Sequence, residues 1–320
     1  GILVKGGDAL EALARPGRIL LDKTGTITEA RTALVQWCGP EWVKPLVLAL
    51  EGDSTHPIAA GFAAAWPGLA APRACETMHV AGAGIAGTVG EHVVVVGSPA
   101  FVRSRTGCPA AGRAPDVDAA LTPVLVAVDG RIVAAAGLGD PIRADAAGAV
   151  ASLRSRGWRV SVLSGDAPLV VQAIGRALDL PSGECTGGAS PEDKLRTVES
   201  ARAAGPVVMV GDGVNDAAAI AAASVGIGVH GGAEASLATA DIYLTRPGLA
   251  PLVELVSGAE RTMAVIRRNL AFSLAYNLAG ATLAMTGVIN PLVAAVLMPV
   301  SSLTVVLSSW RSRTFTDAAA

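Results

Sequence analysis

Arg18-Ile19-Leu20-Leu21-Asp22-Lys23-Thr24-Gly25-Thr26-Ile27-Thr28 is the stretch from which the fold can be read. A short apolar run ends in a carboxylate and is followed at once by a Lys-Thr-Gly-Thr turn. That pattern places Asp22 at the carboxyl end of a buried parallel strand, where open α/β sheets bind their ligands. Two later segments repeat it: Trp158 to Leu163 runs into Ser164-Gly165-Asp166, and Pro206 to Val210 runs into Gly211-Asp212-Gly213. Between and after them, helices are predicted over Ala144 to Arg156, Leu169 to Leu178, Pro191 to Ala204 and Asp216 to Ala223. Strand–helix alternation of this kind belongs to an α/β fold with a doubly wound parallel sheet.

Residues 30–137 break the rhythm. Helical stretches (Pro45 to Leu50, Ile58 to Ala65) precede strand-like runs at Thr88 to Val96 and Val124 to Ala136, interrupted by a Gly/Pro/Arg-rich loop, Ser104 to Asp118. Helices followed by strands predict an α+β domain inserted into the sheet domain. The expected organisation is a first sheet segment over 1–29, the insert over 30–137, the rest of the sheet domain over 138–257 and a helical hairpin over 258–313.

The chain has 320 residues, of which 51% are hydrophobic and 16% charged, with a formal net charge of −2 and a mean hydropathy of +0.50. This composition excludes a disordered or nucleic-acid-coating protein, and no nucleic-acid partner is expected. The apolar excess lies at the C-terminal end, where Asn269 to Trp310 contains no Asp, Glu, Lys or Arg. Asn290-Pro291 divides this run into halves, about 269–288 and 291–310, each of roughly the ~20 residues that cross a bilayer as a helix. Arg261, Arg267 and Arg268 precede the run and Arg311 and Arg313 follow it. The expectation is a transmembrane hairpin with both ends cytoplasmic, the alternative being a buried helical hairpin in a soluble core. Gly1 to Leu10 holds Lys5 and Asp8 and no long apolar core, so no secretory signal is expected. Because the first residue is not Met, a fragment or processed piece is expected. Cys38, Cys75, Cys108 and Cys185 form no CxxC pair and no zinc spacing, which predicts reduced, cytosolic packing residues.

The strand ends carry the chemistry. A strand-end carboxylate without a neighbouring Ser, His or Cys is a poor acid or base, but it is a nucleophile toward phosphorus once a metal and cations neutralise the charge. Asp212 and Asp216 supply further hard oxygens suited to Mg²⁺ shared with a phosphate. Lys194, in Ser190-Pro191-Glu192-Asp193-Lys194, offers a compact cation, and the Ser164 hydroxyl and Gly165 amide offer donors to phosphoryl oxygens.

Asp22-Lys23-Thr24-Gly25-Thr26-Ile27-Thr28 resembles the phosphorylation signature of the P-type ATPases, and Gly211-Asp212-Gly213-Val214-Asn215-Asp216 resembles their hinge signature. Asp140-Pro141-Ile142-Arg143 is similar to a third family segment, as is Ser164-Gly165-Asp166 with Ser in place of the usual Thr. The resemblance runs through essentially the whole chain in family order. It implies a haloacid-dehalogenase-like fold and an ATP- and Mg²⁺-dependent enzyme phosphorylated on Asp22. Lys23, Thr24, Ser164, Gly165, Asp166 and Lys194 would serve the phosphoryl group, and Asp22, Thr24, Asp212 and Asp216 the Mg²⁺.

Within the insert, Ser54-Thr55-His56-Pro57 and Gly82-Ala83-Gly84-Ile85-Ala86-Gly87 resemble the nucleotide-binding elements of the heavy-metal-transporting subgroup. Glycines permit close backbone approach to phosphate or ribose, and His56 can hydrogen-bond or stack with adenine. Taken alone, His56 reads more readily as a capping or core histidine than as a nucleotide ligand; beside the phosphorylation signature that order reverses. Glu51 stands where the subgroup places an adenine-contacting Glu, and Ser98 follows Gly97 where copper members usually have Asn.

In the hairpin, Tyr276-Asn277 and Met298 with Ser301-Ser302 resemble the metal-site residues of the Cu(I)-transporting branch, which implies Tyr276, Asn277, Met298 and Ser302 as ligands of the transported metal. A thioether suits Cu(I), whereas the zinc branch would want an Asp in the second helix. Alternatively, Asn277 and the serines hydrogen-bond between helices and Met298 packs. Pro299 introduces a kink. The family's actuator domain and its Cys-Pro-Cys helix normally precede this region, and Gly1 to Gly7 resembles the segment just past that helix. The implied partners are a heavy-metal ion, membrane lipid and the absent N-terminal half. The implied location is a bacterial inner membrane, multi-pass, with cytoplasmic catalytic domains. Three alternatives remain at this point: a Zn/Cd-transporting relative, a membrane-anchored phosphatase or phosphotransferase, and a truncated chain that binds nucleotide or a partner. An acidic residue two positions after Asp22 would favour the phosphatase, and Thr24 stands there.

Overall fold

Arg18–Leu21 is a strand in which Ile19, Leu20 and Leu21 are at most 1% exposed. In the computed structural model all residues are described except 53, 107–114, 213–214, 232–237, 288–290, 313 and 316–320, together with the side chains of 291–292 and 294–298. The chain divides into two units. The first comprises Gly1–Asp22, Asp145–Ser161 and Ser190–Ala320, and the second Lys23–Ala144 and Val162–Ala189.

In the first unit, Arg18–Leu21 lies between Val207–Gly211 and Arg159–Leu163 in a sheet that continues through Val225–Gly228 and Ile242–Leu244 to Ile2–Val4. Arg18–Leu21, Val207–Gly211, Val225–Gly228 and Ile242–Leu244 are parallel in turn, and the edge strand Ile2–Val4 pairs antiparallel with Ile242–Leu244. Helices Ala146–Ser155 and Pro191–Arg202 belong to this unit. Pro191–Arg202 starts where its sequence dictates: the Ser190 hydroxyl accepts from the Asp193 amide, the Asp193 carboxylate accepts from the Ser190 amide, and Pro191 occupies the first turn. The predicted helices of the sheet domain form within two residues of their expected ends.

The second unit contains a six-stranded antiparallel sheet in the order Ala33–Cys38, Arg131–Gly139, Thr122–Val128, His92–Gly97, Gly84–Val89, Ala74–Val80. Each of the two runs read as strand-like is a pair of strands. Thr88 to Val96 is broken at the Gly90 turn (φ 62°), and Val124 to Ala136 at Asp129-Gly130 (φ 50° and 76°). Helices Val43–Glu51 and Pro57–Ala65 cover one face through Val47, Leu50 and Phe62, which meet Val94, Val96, Val124 and Val126. Helix Pro99–Thr106 covers the other, where Phe101 and Val102 meet Val95, Leu125 and Ala127. Burial on both faces explains why these strands read as unbroken apolar runs.

The C-terminal hairpin forms as two helices, Ala250–Met285 and Pro291–Arg311, but the membrane expectation is not supported. Among the described residues no helix is long and apolar enough to cross a membrane. The first helix begins well before Asn269 and spends its opening turns on the sheet domain, where Leu252, Leu255, Val256 and Ala259 are fully buried. Asn269, Ser273, Tyr276, Asn277 and Thr282 then dilute its apolar stretch. Asp145 accepts from the amides of Leu249 and Ala250 at 2.7 and 2.8 Å and so caps this helix from the sheet domain. The expected link at Asn290 and the flanking Arg313 lie outside the described residues. Cys38, Cys75 and Cys185 are free thiols but none is buried, and Cys75 is exposed, which corrects their reading as packing residues. Cys108 is also outside the description.

Candidate active site

Asp22 follows directly on its strand, its amide donating to Val210 O at 2.8 Å. Lys194, in the first turn of Pro191–Arg202, reaches it. Its Nζ donates to Asp22 Oδ1 at 2.6 Å and to Asp216 Oδ1 at 2.7 Å. All three side chains are buried, Asp216 at 1% exposure. Asp216 stands at the start of helix Ala217–Ala222 but does not cap it, since its carboxylate is committed to the lysine. Gly211 makes room for this: a Cβ there would meet Asp216 Oδ2 at 2.6 Å. Burial, with the charges of Asp216 and Asp212 nearby, pushes the Asp22 carboxyl up from 3.8 to about 6 against the pull of Lys194. Burial raises the Asp216 carboxyl as well. For Lys194 burial acts downward, but Asp22 and Asp216 outweigh it and hold the ammonium above its usual range. Carboxylate oxygens of Asp22, Asp212 and Asp216 lie within 4.8 Å of one another. These are hard oxygens around shared negative charge, and this donor set fits Mg²⁺. Gly213 and Val214 of the same signature lie outside the described residues.

In the second unit, the loop that continues from Asp22 turns at Gly25 (φ 72°). Lys23 is buried and forms an ion pair with Asp166. Ser164 is 3% exposed, and its Oγ accepts from the Asp166 amide at 3.2 Å. Lys23, Ser164 and Asp166 thus come together, with Gly165 between the last two, whereas the Thr24 side chain is exposed. Two residues to which the sequence assigned no role hold this loop. Arg143 donates to Gly25 O at 3.1 Å and Thr26 O at 3.2 Å, and Asp140 accepts from Thr28 Oγ1 at 2.5 Å and the Arg31 amide at 3.1 Å. Their signal was the family-like segment Asp140-Pro141-Ile142-Arg143, at the point where the chain returns from the insert.

Glu51, His56, Gly82, Gly84 and Ser98 all line one cleft of about 270 Å³ in the insert. Burial raises the Glu51 carboxyl, opposed by Ser54, His56 and His79. His56 does cap helix Pro57–Ala65, its Nδ1 accepting from the Ile58 amide at 3.2 Å, so the capping and cleft-lining readings hold together. Gly84 and Gly97 are needed for close strand approach, since a Cβ at either would lie 2.3 or 2.4 Å from a backbone oxygen. Gly82 (φ 70°) instead leaves open space beside the cleft. The Ser98 hydroxyl accepts from the Phe101 amide at 3.3 Å. His79 also lines the cleft and was missed, because an isolated histidine in a polar strand carries no motif.

In the helical arm, Asn269 exchanges hydrogen bonds with Ser308 and Ser309 at 2.9 and 2.8 Å. This antiparallel register sets Tyr276 and Asn277 level with residues 300–302. Tyr276 is half-buried, and Asn277 and Ser302 are exposed. Met298 lies within helix Pro291–Arg311 and its side chain is outside the description. Asn269, eight residues before Asn277, shares the interhelical bonds with Arg268, which donates to Ser308 Oγ at 2.9 Å.

Residues 18–224 match the haloacid dehalogenase-like hydrolases, and the chain belongs to that family. It is 36% identical to the cation-transporting P-type ATPase B of Mycobacterium tuberculosis over 98% of its own length and 43% of that protein's. It is also 36% identical to the copper-exporting P-type ATPase of Mycobacterium leprae, over 98% of this chain and 41% of that one. The crystal structure of a zinc-transporting PIB-type ATPase in an E2·Pi state superposes with a TM-score of 0.83 at 30% identity, over 97% of this chain and 52% of that one. The chain therefore spans about two fifths of the length of these curated relatives.

Proposed function

We propose that the chain is the catalytic part of a heavy-metal-transporting P-type ATPase, that Asp22 accepts the γ-phosphoryl group of ATP, and that the cargo is Cu(I). The observation that carries this reading is the buried Asp22–Lys194–Asp216 cluster, with Asp212 beside it. The Asp22 carboxylate attacks the γ-phosphorus, an O–P bond forms, the bond to the β-phosphate oxygen breaks and ADP leaves. Water later cleaves the acyl phosphate and returns the carboxylate. Asp22 is ionised at neutral pH. Lys194 holds its orientation and balances charge that grows on the phosphoryl oxygens. Mg²⁺ bound by Asp22, Asp212 and Asp216 would neutralise phosphate charge. The resemblance of their motifs to the family's supports a role for Lys23, Thr24, Ser164, Gly165 and Asp166 toward the phosphoryl group.

The cleft around Glu51, His56, Gly82, Gly84 and Ser98 binds the adenine nucleotide. His56→Gln weakens ATP binding while leaving phosphorylation by inorganic phosphate nearly intact, and a loss of about 1 kcal/mol in stability accompanies it because a cap is removed. Equal loss of both phosphorylation reactions assigns the histidine to structure alone.

Tyr276, Asn277, Met298 and Ser302 contribute half of the cargo site in the complete protein, which works at a membrane. Thioether softness supports Cu(I), and helix Pro291–Arg311 carries no carboxylate for Zn²⁺. The zinc-transporting structural neighbour supports the competing metal. In the complete protein, Cu(I) stimulates ATP hydrolysis and Met298→Ala abolishes the stimulation. Stimulation by Zn²⁺ instead, or a Met298→Ala protein that responds like its parent, removes the copper assignment.

A further inference from the structure

His79 stands opposite Ile85 in the antiparallel pair formed by Ala74–Val80 and Gly84–Val89. Directly opposed residues share a face of the sheet. Ile85 is 2% exposed and packs with Leu50 and Phe62, so that face is the one covered by helices Val43–Glu51 and Pro57–Ala65. The nucleotide cleft is built from these two sources. The end of the first helix and the connection to the second supply Glu51, Ser54 and His56, and the sheet supplies His79, Ile85 and Val124. The two imidazoles thus enter from different walls, and both lie near enough to the buried Glu51 carboxyl to act on it.

The two rings are held differently. His56 is oriented by the Ile58 amide at its Nδ1. The exposed His79 ring has no hydrogen-bond partner among the described residues. A ring that must donate to a ligand gains from being held in one orientation, whereas a ring that offers its face needs only freedom to lie flat. Ile58, Ala83, Ile85 and Val124 leave the remaining lining largely apolar. A flat heterocycle whose amino edge meets Glu51 fits that chemistry.

We propose that His79 is a base-binding residue of the cleft, its imidazole stacking on the purine while Glu51 reads the amino edge. This rests on the nucleotide reading of the cleft and adds a contact that the glycine and histidine motifs do not contain. The test is calorimetric titration of the full chain with ADP and with adenosine, for the parent, His79→Ala, His79→Phe and Glu51→Gln. His79→Ala weakens both ligands by roughly three- to tenfold, the range of one aromatic contact. His79→Phe, which keeps a flat ring and no nitrogen, restores affinity to within about twofold of the parent. The inference is overturned if His79→Ala binds like the parent, if Phe is as poor as Ala, or if ADP weakens while adenosine does not. A parent that binds neither ligand, or a Glu51→Gln chain that binds as well as the parent, overturns the nucleotide reading beneath it.

Discussion

Incubated with γ-labelled ATP and Mg²⁺, the chain takes up an acid-stable, hydroxylamine-labile label, and Asp22→Asn takes up none. The expected loss is complete because an amide cannot form the acyl phosphate, and no other carboxylate among the described residues combines a strand end with the Lys23-Thr24-Gly25-Thr26 turn. Persistence of the label would move the nucleophile elsewhere. The same substitution has an opposite effect on stability. An acid whose folded value is raised from 3.8 to about 6 holds a proton that the unfolded chain has released. Stability is therefore lost as pH rises from about 4 to 6, and the whole cost is present at pH 7. In chelator at pH 7, Asp22→Asn melts several degrees above the parent, and the gap closes toward pH 4. Saturating Mg²⁺ narrows it too, because a ligand of the folded state stabilises the parent by mass action. A gap independent of pH would show that the carboxyl is not perturbed by its neighbours.

Lys194→Ala removes a cation that touches both buried carboxylates. Losing one partner of a buried ion pair commonly costs ~3–5 kcal/mol, because the remaining charges stay desolvated. Losing an electrostatic donor at a phosphoryl group costs ~10²–10³ in rate. Single-turnover phosphorylation should slow by at least that factor with little change in ADP affinity at the insert, whose cleft does not include Lys194. Part of the stability loss is recovered in the Lys194→Ala, Asp22→Asn double variant, where only one carboxylate remains unpaired. A near-normal rate takes Lys194 out of the reaction, and additive stability losses in the double variant would mean that the two side chains do not share one electrostatic problem.

The hydrophobic pattern was legible where one element makes its own case. Ser190-Pro191-Glu192-Asp193 announces a helix start because the capping groups lie within four residues. The apolar run into Asp22 announces a buried strand end because parallel strands are covered on both faces. The same two-sided burial defeated the reading inside the insert. Val94 to Val96 and Val124 to Val128 alternate between two cores, so their sequence is uniformly apolar and hides both period and boundaries. Asp129-Gly130 was the available signal for the second hairpin, because both residues take the positive φ that such turns require. The arm failed differently. Absence of charge from Asn269 to Trp310 predicts membrane spans, while the helix starts on the sheet domain and carries amides and hydroxyls along its apolar stretch.

What the sequence determined by itself was the set of chemical groups. Local chemistry chose a carboxylate at a strand end, a lysine in a capped first turn, an aspartate after Gly211 and a histidine before Pro57, and each could be recognised from its immediate neighbours. Which of them meet was decided by the tertiary structure. Lys194 pairs with Asp22 across 172 positions and with Asp216 across 22, and Arg143 holds Gly25 and Thr26 across more than a hundred. His79 enters the cleft only because antiparallel pairing puts it opposite Ile85. Spacing along a chain reports neighbours within a turn or a strand. Distances between elements, and the burial that moves Asp22 to about 6, arise only when the strands and helices around it pack and exclude water.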